Sequence, residues 1–232
     1  MIKVELSCAA RVLRHGLRGL HGIGARVLSV VLSMVLAAAL AGCGGPKESA
    51  LPAGTRVLAL GDSLTFGYGV APPQAWPVLL AGRTGWSVVN AGINGDTTAG
   101  ALARLPALLE EHTPALVLVT LGGNDMLRKV PESQTVENLN RILDLVQARG
   151  ARAVLIATPR PSLAGAVLQN LSPAPFYAAL AKARGVPLVE DAIAQVLSDP
   201  QLKLDPLHPN PAGLVKLEEK IHKALKKIGY AR

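Results

Sequence analysis

From residue 55 to the end of the chain, short apolar runs alternate with longer amphipathic stretches, and no other feature restricts the accessible folds so much. Residues 57–60, 87–90, 116–121, 153–157 and 187–189 are rich in Val, Leu and Ile. Apolar runs of that length read as strands buried on both faces. The stretches between and after them, 74–81, 98–112, 135–149, 175–184 and 211–228, carry apolar residues at helical spacing. In the last, Asn210 reads as the N-cap, Pro211 takes the first helical position, and Leu214, Leu217, Ile221 and Leu225 fall along one face. The pattern predicts a single three-layer α/β domain with a parallel sheet of about five strands. Active sites of such sheets lie beyond the carboxyl ends of the strands.

The net charge of +8 suggests an anionic partner until its placement is considered. Residues 1–42 hold Lys3, Arg11, Arg14, Arg18 and Arg26 against one acid, Glu5, which leaves nineteen basic and fifteen acidic groups, a net of +4, in the remainder. That is an ordinary surface, and an aromatic content of 3% offers few stacking platforms, so nucleic acid is not an expected partner. Residues 27–41 form an uncharged apolar run shorter than the roughly 20 residues of a transmembrane helix. With arginines before it and small residues at its end, it reads as a secretory signal. Leu40-Ala41-Gly42-Cys43 then resembles the lipobox of bacterial lipoproteins, in which the cysteine is lipidated and becomes the new N-terminus. A signal cut without lipidation, or a short anchor, is the alternative.

The expected organisation is a lipoprotein signal over residues 1–42, lipidated Cys43 with a Gly/Pro/Ala/Ser-rich tether through residue 54, and a folded domain over 55–232. This places the domain in the cell envelope, held to a membrane through Cys43 and facing the periplasm. The two cysteines, Cys8 and Cys43, lie at or before the expected cut, so the domain would contain neither a disulfide nor a cysteine metal site.

Gly61-Asp62-Ser63-Leu64 follows the first apolar run directly, where a tight turn would expose the Ser63 hydroxyl and its backbone N–H. A serine in that place, taken alone, is more often a helix N-cap, and the surroundings lack the Gly-x-Ser-x-Gly elbow of the α/β-hydrolases. Of the five histidines, His15 and His21 leave with the signal, while His112 and His222 read as solvated helix residues. His208 sits in the proline-bounded loop Asp205-Pro206-Leu207-His208-Pro209 ahead of the last helix. Asp205 is placed to fix the tautomer of His208 and to stabilise its imidazolium. The plainer reading makes Asp205 a turn former and His208 a capping residue. The second and third apolar runs lead into Asn90-Ala91-Gly92-Ile93-Asn94-Gly95-Asp96-Thr97 and Thr120-Leu121-Gly122-Gly123-Asn124-Asp125, which offer backbone N–H groups and a neutral amide donor at strand ends. Each reads also as a simple turn.

Taken in order, these blocks resemble those of the SGNH, or GDSL, hydrolase superfamily, with Ala75-Trp76-Pro77, Ala103-Arg104-Leu105-Pro106 and Asp205-x-x-His208-Pro209-Asn210 closest to the bacterial thioesterase I, lysophospholipase and arylesterase group. The likeness runs from about Thr55 to the end of the chain. It implies a flavodoxin-like α/β/α fold, Ser63 as nucleophile, His208 as base and Asp205 as its partner. It also implies an oxyanion hole from the Ser63 N–H, the Gly95 N–H and the Asn124 side chain, with no metal and no cofactor. The expected activity is hydrolysis of carboxylic esters or thioesters of small acyl, aryl or lysophospholipid substrates. Met126-Leu127-Arg128-Lys129-Val130-Pro131 and the proline-rich stretch 159–175 depart from the family pattern, and Met126, Leu127, Leu163, Val167 and Leu168 there suggest a hydrophobic acyl or aryl group. The rival readings are an O-acetylesterase of envelope or extracellular polysaccharide and a non-catalytic envelope lipoprotein that binds glycan or lipid.

Overall fold

The computed structural model describes residues 50–232. The expected signal, its cleavage site and Cys43 therefore lie outside the described residues. Five parallel strands form one sheet: β1 (Arg56–Gly61), β2 (Ser87–Gly92), β3 (Leu116–Thr120), β4 (Arg152–Ile156) and β5 (Leu188–Val189), in the spatial order β2-β1-β3-β4-β5. This is the flavodoxin-like order, and the chain reverses its direction of travel across the sheet between β1 and β3. The crevice opened by that reversal is where such sheets bind ligands.

The period of two along β1 shows why both faces are apolar. Leu58 and Leu60 enter one core while Val57 and Ala59 enter the other. Over the first face lie α3 (Thr98–His112), α5 (Glu132–Ala148) and α7 (Phe176–Arg184), which contribute Leu105, Leu109, Leu139, Ile142 and Tyr177. Over the second lie α2 (Trp76–Thr84), α8 (Ala192–Ser198) and α9 (Pro211–Ile228), with Trp76, Leu80, Ile193, Leu214, Leu217 and Ile221. Fully burying a Leu or Ile side chain stabilises by roughly 1.5–3 kcal/mol, and continuous burial on both faces is what holds the two-layered core together.

The expected strands and helices fall on observed elements with shifts at the ends. The helix expected at 135–149 begins at Glu132, where Pro131 is the N-cap, and that expected at 74–81 begins at Trp76 after a 3-10 turn over Pro72–Gln74. Three short strand-end helices, α1 (Ser63–Phe66), α4 (Gly123–Leu127) and α6 (Leu163–Val167), span too few residues to show a helical period. One charged residue of α9 turns inward. Glu218 is buried there, and both its oxygens accept from Arg83 Nε of α2, at 2.8 and 2.9 Å. Leu51 and Gly54, expected in the tether, donate backbone hydrogen bonds to Tyr230 and Gly85.

Candidate active site

The connections after β1, β2 and β3 and the loop before α9 converge at the carboxyl edge of the sheet. At the end of β1, Asp62 acts as the N-cap of α1, accepting the Leu64 N–H at 3.0 Å. Ser63 is the first residue inside that helix and is not its cap. Its hydroxyl is left to pair with His208 Nε2 at 3.0 Å. The close approach of α1 to the sheet depends on Gly92 of β2, where an added Cβ would lie 2.2 Å from the Phe66 backbone nitrogen.

Asp205 takes both roles that the sequence left open. Its Oδ1 accepts the Leu207 and His208 backbone N–H groups at 2.7 and 2.9 Å, which closes the turn. Its two oxygens also lie 2.9 and 2.8 Å from His208 Nδ1, so the turn that forms the loop orients the imidazole as well. The capping role goes to Asn210, whose side chain accepts the Gly213 N–H at 2.9 Å. Partial burial pushes the Asp205 carboxyl up, but the His208 ring, the Leu207 N–H, the His208 charge and the His208 N–H together hold it below the usual carboxylate range. The Tyr68 ring packs on the imidazole with centroids 4.5 Å apart.

Gly95 and Asn124 line the same cavity as Ser63 and His208. Gly95 has φ +74°, and its carbonyl accepts from Arg128 Nη2 at 2.8 Å, which ties the β2 loop to the end of α4. Asp96 accepts from Arg104 Nε at 2.9 Å, and Arg104 Nη2 reaches the Gly61 carbonyl at 3.2 Å. Asn124 sits at the start of α4 behind Gly122, whose φ of +114° favours glycine. Its Nδ2 donates to Asp62 Oδ2 at 3.1 Å, leaving one amide hydrogen for a ligand. The next residue, Asp125, is buried and accepts from the Thr98 N–H and Thr98 Oγ1, while Asn138 Nδ2 donates to Thr98 Oγ1 at 3.0 Å. This pins α4 to α3 and α5.

Asp62, Arg104, Asp125 and Arg128 were not singled out by sequence reasoning. All four stand within motif-bearing or divergent segments of the sequence, but a supporting hydrogen bond leaves no spacing signal of its own. Asp62 is strongly perturbed by its burial. Burial raises its pKa from 3.8 to about 7, against the opposing Leu64 N–H, with the charge of Asp96 adding to the rise and the Asn124 amide opposing it. The folded state thus binds a proton that the unfolded state releases between pH 3.8 and about 7. The resulting contribution favours folding fully below that window and is lost as pH rises through it, with a slope on the order of 1.4 kcal/mol per pH unit. In thermal melts across this range, Asp62→Asn should therefore flatten the decline in stability; an unchanged decline would show that Asp62 ionises normally.

The cavity measures about 600 Å³ and is lined by Leu64, Leu127, Pro159, Leu171, Leu197 and Leu207 beside the polar cluster. Of the loop residues expected to shape it, Leu127 does so, whereas Val167 and Leu168 are exposed and are not part of the lining. Among the described residues, no helix is long and apolar enough to cross a membrane.

Residues 59–214 match the model of the GDSL-like lipase/acylhydrolase family. The chain is 43% identical over 163 residues to thioesterase 1/protease 1/lysophospholipase L1 of Escherichia coli (strain K12), covering 68% of this chain and 77% of that protein. It is 35% identical over 192 residues to the arylesterase of Vibrio mimicus, covering 80% and 90%. Among solved structures it is similar to TesA, with a TM-score of 0.66 and 34% identity over 75% of this chain and 99% of that one. It is also similar to the psychrotrophic esterase EstA from Pseudoalteromonas sp. inhibited by monoethylphosphonate, with a TM-score of 0.64 and 28% identity over 75% and 97%.

Proposed function

Since the chain belongs to the GDSL-like lipase/acylhydrolase family and is a serine hydrolase of ester bonds, we propose that Ser63, His208 and Asp205 carry the reaction and that its substrates bear a hydrophobic acyl or aryl group. The observation that carries this reading is the hydrogen-bonded series Ser63 Oγ, His208 Nε2, His208 Nδ1, Asp205, opening into a cavity walled by leucines and prolines. His208 Nε2 takes the Ser63 proton as Oγ attacks the carbonyl carbon. The Ser63 and Gly95 N–H groups and the free Asn124 amide hydrogen receive the developing oxyanion. The protonated His208 then gives its proton to the departing alcohol or thiol, leaving an acyl-serine. Water attacks this ester by the same route, returning the proton to His208 and then to Ser63. Throughout, ionised Asp205 balances the imidazolium and holds the ring in place.

Thioesters and lysophospholipids are included in the proposed range because relatives bear the names thioesterase, lysophospholipase and arylesterase. The lining favours an acyl chain over a sugar ring, since Tyr68 is its one aromatic residue and packs on His208. We also propose that residues 1–42 direct export and that lipidation of Cys43 holds the enzyme in the cell envelope, supported by the apolar run ending in Leu40-Ala41-Gly42-Cys43. Comparing p-nitrophenyl acetate, butyrate, octanoate and palmitate, with an acyl-CoA and a lysophosphatidylcholine alongside, tests the substrate proposal. kcat/KM should rise from acetate to medium chains by about 15-fold for every two methylenes that enter the cavity, at about 0.8 kcal/mol each. A strict preference for acetate would overturn it.

A further inference from the structure

We propose that Asp62 is a positioning residue of the oxyanion hole: it grips one Nδ2–H of Asn124 and so aims the other at the substrate oxygen. The inference rests on the acyl-serine reading above and adds a residue to it. Asp62 is 2% exposed, and both hydrogen bonds recorded for its side chain come from neutral donors, the Leu64 N–H to Oδ1 and Asn124 Nδ2 to Oδ2. Capping a four-residue helix does not require this arrangement. A serine or asparagine would accept the Leu64 N–H without the desolvation that a buried carboxyl incurs. What those residues lack is a second oxygen that only accepts.

Above about pH 7, where Asp62 is ionised, its carboxylate discriminates between the two ends of the Asn124 primary amide. It receives N–H and repels the carbonyl oxygen, so it fixes which way the Asn124 amide faces. With one amide hydrogen on Asp62 Oδ2, the plane of the group is set and the second hydrogen is held toward the cavity that Asn124 shares with Ser63. The same carboxyl caps the helix that begins with Ser63. One side chain therefore ties the start of α1, bearing the nucleophile, to the start of α4, bearing the amide donor. A donor already aimed need not reorganise as charge develops on the carbonyl oxygen.

A double-mutant cycle separates this role from a structural one. Asp62→Asn, which presents a donor to a donor, and Asp62→Ser, which keeps an acceptor for Leu64 but does not reach Asn124, are each combined with Asn124→Ala. Above about pH 7, where Asp62 is ionised, either Asp62 substitution in the wild-type background should lower kcat on p-nitrophenyl butyrate by about 10–100-fold, with KM within roughly threefold. In the Asn124→Ala background, the same substitution should change kcat by less than about threefold, because the amide it positions is gone. Equal losses in both backgrounds would overturn the inference and make Asp62 a support of α1 alone. An Asn124→Ala enzyme with undiminished kcat would overturn the oxyanion reading itself, and this inference with it. Full kcat in both Asp62 variants with Asn124→Ala strongly impaired would overturn the positioning role and leave that reading intact. If Asp62→Asn fails to fold, the Asp62→Ser arm decides between these outcomes.

Discussion

Ser63→Ala is expected to lower kcat for p-nitrophenyl esters by about 10⁴–10⁶-fold while leaving the melting temperature close to that of the parent protein. Both halves of this expectation follow from where the hydroxyl sits. Its recorded partner is His208 Nε2, and the N-cap of α1 is supplied by Asp62, so removing Oγ takes away the proposed attacking atom without uncapping a helix. A base and an oxyanion hole with no nucleophile accelerate water attack only weakly. His208→Ala should fall in the same range, and the double variant should be little worse than either single one, because the pair acts as a unit. Parent-level turnover in purified Ser63→Ala, measured with the same esters, would show that another group attacks.

Asn124→Ala should lower kcat by about 10²–10³-fold with a much smaller effect on KM. The amide contributes where charge appears on the carbonyl oxygen, and an uncharged ground-state carbonyl gains little from it. Two donors, the Ser63 and Gly95 N–H groups, would still face the oxyanion, which is why the loss should stop short of that of Ser63→Ala. The substitution also removes the Oδ2 partner of buried Asp62, and with it an interaction that helps its ionised form. Steady-state kinetics on a short and a medium-chain ester would separate a fall in kcat from a rise in KM. A rise in KM alone would place Asn124 in substrate binding.

The sheet was legible because its evidence is local. Val57, Leu58, Ala59 and Leu60 alternate between two apolar cores, and a strand covered on both faces must be apolar at every position. The amphipathic period of α9 was equally plain, from Leu214 to Leu225. The proposed nucleophile, base, acid and oxyanion donors were legible as motifs, and the structure brings Ser63, His208 and Asp205 into one hydrogen-bonded series. What was not legible joins residues far apart in the chain. The Asp62 bond to Asn124 spans 62 positions, that of Arg83 to Glu218 spans 135, and neither leaves a periodic trace. Short helices escaped for another reason: α1 and α4 complete little more than one turn, so they are set by the Asp62 cap and by Gly122. The exposure of Val167 and Leu168 was missed because an apolar loop residue looks the same in sequence whether it lines a cavity or faces solvent.

In the proposed reaction Ser63 forms a covalent bond to the acyl carbon. Treating the protein with a fluorophosphonate, followed by intact-mass measurement and peptide mapping, tests it directly, because the probe phosphorus is attacked by the same activated oxygen. One adduct per chain is expected, located on Ser63, formed in step with loss of esterase activity and absent from Ser63→Ala. Activity that survives complete phosphonylation of Ser63, or inactivation with the adduct on a different residue, would contradict it.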